Sequence, residues 1–170
     1  MVGDRRVVLG IDPGTAILGY GVVAVQGDEL TALDYGVLTT PSTQPLTARL
    51  LTLFDGLTRV IDCNCPSEVA VEQLFFARNV QSALAVGHAR GVALLSAALH
   101  ALPVSEYTPQ HVKQAVAGYG RATKMQVQSM VQIMLALHEI PQPDDAADAL
   151  AIAICHARWN EQMGGGRLVL

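Results

Sequence analysis

Val7-Val8-Leu9-Gly10-Ile11-Asp12, closed by Pro13-Gly14, is an apolar run that ends in a carboxylate. Such a run reads as a buried strand, here residues 5–12, stopped by a turn. Two more strand patterns follow at residues 18–25 and about 30–39. Gln26-Gly27-Asp28 between them is a turn signal, so the three make an antiparallel meander. After the loop Pro41–Pro45, Leu46, Leu50, Leu53, Phe54, Leu57 and Ile61 recur at helical spacing, and Pro66-Ser67 breaks that helix. Glu68-Val69-Ala70-Val71-Glu72 opens a fourth strand at 68–73.

Asn79 can cap a long helix to about Leu102, which Pro103 ends before a short strand, Val104 to Tyr107. Thr108 as cap and Pro109 as first helical residue start a helix to about Ala117. Gly118-Tyr119-Gly120 is a flexible joint. Thr123 and Gln126 form a capping box for a helix to about Leu137, and Pro141 and Pro143 precede the last helix, 144–163. This order predicts an α/β fold: a mixed five-stranded sheet, three antiparallel strands then two parallel ones, flanked by helices. Strands one and four then lie side by side in its centre. With no internal repeat or linker, residues 1–163 read as a single domain and 164–170, after Gly164-Gly165-Gly166, as a flexible tail.

Apolar residues make up 51% of the 170, enough for a full core and against disorder. No apolar run approaches the roughly 18 residues of a membrane span, and no signal peptide is recognisable. Cys63, Cys65 and Cys155 are an odd count without zinc-site spacing, so the expectation is reduced thiols in a cytoplasmic protein with no membrane partner. The net charge of −4 argues against a generally basic nucleic-acid binder. Its distribution qualifies that: residues 73–138 hold Arg78, Arg90, Lys113, Arg121 and Lys124 against Glu106 alone, while both flanks are acidic. Segregation of this kind can set a basic surface beside an acidic pocket; its bland alternative is a solvated face.

Asp12 and Glu72 stand in runs apolar enough to be buried, where a carboxylate is costly unless neutralised. Asp145 and Asp148, at i and i+3, share a helix face. First-turn acids also favour the helix dipole, and Asp144 could do only that. Together the four point to a metal site. Carboxylate oxygens suit Mg²⁺ or Mn²⁺, and two such ions about 3.5–4 Å apart can clamp a phosphodiester. Helix 79–102 is apolar nearly all round, with Ala83, Gly87 and Gly91 four apart, which suits a close twofold contact or packing within one subunit. Arg121, after Gly-Tyr-Gly, is a candidate phosphate contact. The five histidines have no spacing that builds a site and read as structural.

Gly10-Ile11-Asp12-Pro13-Gly14 with Gly19-Tyr20-Gly21-Val22, then Glu72-Gln73-Leu74-Phe75 with Ala77-Arg78-Asn79, then Asp145-Ala146-Ala147-Asp148-Ala149-Leu150, resembles the RuvC family of bacterial Holliday junction resolvases. Ser82-Ala83-Leu84, Ala89-Arg90-Gly91, Val112-Lys113-Gln114 and Lys124-Met125-Gln126-Val127 add to it, over about residues 7–157. The resemblance implies a ribonuclease-H-like fold, a homodimer, and paired cuts across four-way junction DNA; helix 79–102 is the expected twofold contact, and Mg²⁺ or Mn²⁺, two ions per site, the expected cofactor. It implies the RuvA–RuvB branch-migration complex as a partner. Asp12, Glu72, Asp145 and Asp148 take its metal-binding catalytic places. Lys124 takes a DNA-contacting place beside the scissile phosphate, Lys113 a second, and Phe75 that of an aromatic acting on crossover bases. Arg78 and Arg121 join these as candidate DNA contacts. The chain departs from the family in having Phe75-Phe76 where one ring is expected. Other readings are a non-catalytic junction-binding dimer and a fragment of an actin-like or sugar-kinase phosphotransferase, which shares Asp-Pro-Gly-Thr on a first hairpin.

Overall fold

A computed structural model describes residues 5–73 and 80–162, with side chains in the last helix described as far as Trp159. Phe75, Phe76, Arg78, the Asn79 cap and the tail 164–170 lie outside the described residues. The elements follow the expected order: β1 Arg6–Asp12, β2 Ile17–Gln26, β3 Glu29–Thr39, α1 Leu46–Asn64, β4 Glu68–Glu72, α2 Val80–Leu99, β5 Val104–Tyr107, α3 Pro109–Ala117, α4 Lys124–Met134 and α5 Asp144–Gln162. The sheet runs β3-β2-β1-β4-β5. The hairpins β1/β2 and β2/β3 are antiparallel, and β4 adds to β1, and β5 to β4, in parallel. The Gly27 turn works because glycine takes φ 57 there without a Cβ clash.

Strand alternation splits the core in two. Leu9, Ile11, Val69 and Val71 face Leu53, Leu57 and Ile61 of α1 and Ala89, Ala93 and Ala97 of α2. Val8, Val23, Val25 and Ala70 face α3, α4 and α5 through Val112, Val127, Leu150 and Ile154. On this second face, helix α5 lies directly against backbone. A Cβ on Gly10 would run into the Ala149 carbonyl, one on Gly19 into the Asp145 carbonyl, and one on Gly21 into Leu150. These glycines let α5 pack with almost no side chain between it and β1 and β2.

Three expectations need correction. Helix α4 stops at Met134, short of Leu137, because the chain turns at Ala136 with φ 49. Helix α2 ends at Leu99, before the turn at Ala101 with φ 54, and not at Leu102. The third concerns apolar runs: α2 is a 20-residue helix of mean hydropathy 1.4, long and apolar enough to cross a membrane by length and composition. Its Ala89–Ala93–Ala97 face is nevertheless packed in the core. Its Arg90 is ion-paired with Glu106 of β5.

Between β4 and α5 runs a buried polar chain. Arg6 donates to Glu68 Oε1 at 3.1 Å, His156 Nε2 meets Glu68 Oε2 at 2.8 Å, and Tyr107 Oη meets His156 Nδ1 at 2.8 Å. His156 thus fulfils the structural reading of the histidines. Its hydrogen bond, followed by those charges, holds the Glu68 carboxyl below its ordinary 4.5 despite burial. A depressed carboxylate stabilises the fold above its unfolded value and loses that contribution as pH falls through its folded one. Glu68→Gln should therefore cost about 3 kcal/mol at neutral pH, since it strands a buried partner. In urea titrations the gap to wild type should narrow only below about pH 4.5. A gap that is constant from neutral to acid pH would show that the ion pair is not what the substitution removes.

Candidate active site

Strands β1 and β4 end together. Their register runs to Ile11↔Val71, so Asp12 and Glu72, each one residue further, sit side by side at the edge of the parallel pair. Both lie on the α5 face of the sheet, alternating with Ile11 and Val71, which face α1 and α2. The glycine contacts bring the first turns of α5, with Asp145 and Asp148, over the same edge. The four predicted carboxylates therefore converge.

Their electrostatics register the crowding. Burial, then Glu72, Asp148 and Asp145, push the Asp12 carboxyl from 3.8 up to about 7, although Lys124 pulls the other way. Burial and then Asp148 raise Glu72, again against Lys124. Burial raises Asp148 as well, with the Lys124 hydrogen bond opposing and Asp144 and Asp145 adding to the rise.

Lys124 is the cation of this group. Thr123 starts α4 with a full capping box, which places Lys124 at the first helical residue. Its Nζ stands 3.0 Å from Asp148 Oδ2 and 3.2 Å from Asp144 Oδ2. Burial would lower its ordinary value, but the hydrogen bonds to Asp148 and Asp144 outweigh burial and raise it. Asp144 is held below its ordinary value, chiefly by Lys124 and secondarily by Gln128. The Gln128 amide is close enough to favour the charged carboxylate, yet its buried Nε2 makes no hydrogen bond of full geometry. We weigh Lys124 as the real partner and Gln128 as a minor one.

Beside the carboxylates opens a cleft of about 260 Å³. Glu72, Asp148, Lys113 and Lys124 line it, over apolar walls that include Val112, Val127 and Ile152. So Lys113 and Lys124 are brought to the site. Arg121 is exposed and outside the cleft lining. Arg90, one of the bases counted toward a basic surface, is spent on Glu106. Asp144, which could serve the helix dipole alone, also pairs with Lys124. The signal that marks it is its spacing of four from Asp148, which puts both on one helix face.

Residues 8–156 match the protein family described as Crossover junction endodeoxyribonuclease RuvC. The chain belongs to the RuvC family. It is 55% identical over 159 residues to the crossover junction endodeoxyribonuclease RuvC of Desulforamulus reducens, covering 94% of this chain and 98% of that one. To the RuvC of Heliobacterium modesticaldum it is 60% identical over 151 residues, covering 89% and 93%. Among solved structures, Thermus thermophilus RuvC in complex with Holliday junction substrate superposes with a TM-score of 0.91 at 41% identity, covering 97% of this chain and 99% of that one. The RuvC family is one of divalent-metal-dependent nucleases with a ribonuclease-H-like fold, and the five-stranded mixed sheet is that fold.

The donor set fits a hard divalent ion: oxygen only, largely buried, and so like-charged that Asp12, Glu72 and Asp148 are all raised. As they stand, no three acidic side chains among the described residues close round a common point, and Lys124 holds Asp148. The raised Asp12 value has a stability consequence. A carboxyl raised from 3.8 to about 7 costs the folded state stability as pH rises between those values, and the cost is full above them. Asp12→Asn should therefore melt higher than wild type at pH 8, by about 2–4 °C for each kcal/mol relieved, and equally with it at pH 3.5. Mg²⁺ should raise the wild-type melting temperature and raise that of Asp12→Asn less. An Asp12→Asn that melts lower than wild type at pH 8, with an undiminished Mg²⁺ shift, would contradict the crowding.

Proposed function

We propose that the chain is a structure-selective DNA endonuclease that resolves Holliday junctions by paired symmetric nicks, in DNA recombination and repair. One observation carries this reading: Asp12, Glu72, Asp145 and Asp148 come from three separate elements close enough for the others to raise Asp12, and Glu72 and Asp148 line a cleft with Lys113 and Lys124. All four carboxylates being in place favours a catalyst over a non-catalytic junction binder. The family match over residues 8–156 favours it over a fragment of an actin-like phosphotransferase.

In this reading Asp12, Glu72, Asp145 and Asp148 hold Mg²⁺ or Mn²⁺, two ions per site. Bound cations supply Lewis acidity toward the phosphodiester and toward water. The carboxylates orient the site, and the Lys124 ammonium offsets negative charge that builds on the reacting phosphate. Lys113, Arg121 and Arg78 contact DNA phosphates, and Phe75 acts on bases at the crossover. Residues 1–163 form the nuclease domain. Free thiols at Cys63, Cys65 and Cys155 suit a cytoplasmic location. The family resemblance adds the RuvA–RuvB complex as a partner.

Cleavage of a synthetic four-way junction tests this directly. Wild type should cut it only with divalent metal. Glu72→Gln should lower single-turnover cleavage more than about a hundredfold while binding stays within a few-fold, because it removes a ligand and no phosphate contact. Near-normal cleavage by Glu72→Gln at low Mg²⁺ would sink the two-ion mechanism.

Two symmetric nicks call for two sites, and α2 offers the contact. Val80, Leu84, Leu95 and Leu99 are exposed to between 53% and 71% along one stripe, and none of the described residues stands within 4 Å of a Cβ placed on Gly87 or Gly91. Such a face, apolar and free of bulk, suits a second copy packed across a twofold axis. Gly91→Leu fits the single chain, so its circular dichroism should stay native. Its sedimentation mass should drop toward the 18.0 kDa of one chain, from twice that in wild type. A wild-type monomer at micromolar concentration that still makes coupled double cuts would rule the dimer out.

A further inference from the structure

Lys124 has two carboxylate partners, and they differ in kind. Asp148 is half-buried and belongs to the converging four, whose charge acts on Asp12. Asp144 sits one turn earlier on the same face of α5, with its side chain 54% exposed against 33% for Asp148. The spacing of four residues lets one ammonium reach both oxygens, at 3.0 and 3.2 Å. A divalent ion held by the carboxylates would compete with the Lys124 ammonium for Asp148. Asp144, the more exposed of the two, would stay available to Lys124.

We propose that Asp144 is a positioning residue, a tether that keeps the Lys124 ammonium at the mouth of the active-site cleft once Asp148 is engaged by metal. Without the tether, a flexible four-carbon side chain that is 53% exposed would spread over many rotamers. With it, the ammonium remains within the cleft that Lys124 lines with Glu72, Asp148 and Lys113. The contribution is to geometry at the reacting phosphate and not to the fold, since an exposed ion pair adds little stability. This inference rests on the nuclease reading for its consequence and on the Asp144–Lys124–Asp148 geometry for its substance.

The chain has only two lysines, Lys113 and Lys124, so one serves as the internal standard for the other. The full-length protein would be reductively methylated with and without Mg²⁺ as the sole added ligand, and the Lys124:Lys113 methylation ratio read by peptide mass spectrometry. In wild type and in Asp144→Glu the ratio should stay low when Mg²⁺ is added. In Asp144→Asn it should stay low without metal and rise about three- to fivefold with it, the range of an exposed ion pair. Single-turnover cleavage of a four-way junction by Asp144→Asn should slow by a similar about three- to fivefold at unchanged junction affinity. Asp144→Glu should restore it. In a Lys124→Ala background Asp144→Asn should slow cleavage no further. Equal methylation ratios in wild type and Asp144→Asn with Mg²⁺ would overturn the tether, as would slowing that persists in full without Lys124. A wild-type protein that cuts no junction would tell against the nuclease reading, while the methylation ratios would still decide the tether.

Discussion

The close approach of α5 to the bare backbone of β1 and β2 is the constraint on which the rest depends. Gly10, Gly19 and Gly21 leave no side chain to hold the helix off, and Ala146, Ala149 and Ala153 answer them with small side chains. Packing this tight has one good register, since sliding α5 along the sheet drives carbonyl groups into Cα positions. The register fixes where the helix begins. It begins over the ends of β1 and β4, so the acids of its first turns meet those of the strands. A core contact thus sets a distance in the candidate active site.

The meeting is unfavourable by itself. Four carboxylates converge in a largely buried place, and the rise of Asp12 to about 7 measures the cost. Natural sequences keep such crowding where function needs it. Lys124 relieves part of it from α4, held at the helix start by the Thr123 capping box. The opposite end of β4 shows the contrast. There Glu68 is as buried as its neighbours but fully partnered by His156 and Arg6, and its carboxyl is lowered instead of raised. The same residue class on one short strand is stabilising at one end and a source of strain at the other, according to its partners.

The two faces of the sheet also divide the work. The α3–α4–α5 face carries the carboxylates, the two lysines and the cleft. The α1–α2 face is a plain apolar core, with Arg90 tied to Glu106 and a stripe of α2 left apolar and outward. Charge counting along residues 73–138 could not see that division, because it summed an arginine paired away from the cleft with the two lysines that line it.

Periodicity made most of the fold legible. The meander, the alternation that buries Leu9 and Ile11 on one side and Val8 on the other, the Thr108 and Thr123 caps and the Gly27 turn are all local patterns. Helix ends at Leu99 and Met134 were less legible, since positive-φ alanines at 101 and 136 carry no residue signature of the kind glycine gives. Asp12 and Glu72 stood out because acids in apolar strands violate a local rule, and Asp145 and Asp148 by their spacing on one helix face. What the sequence by itself determined was therefore the order of elements and the identity of the four acids. Only the tertiary structure decided that Asp144 shares Lys124 with Asp148, that Arg90 is unavailable, and that three glycines set the height of α5. Those facts are distances between groups far apart in the chain, and distances follow from packing, which no local pattern encodes.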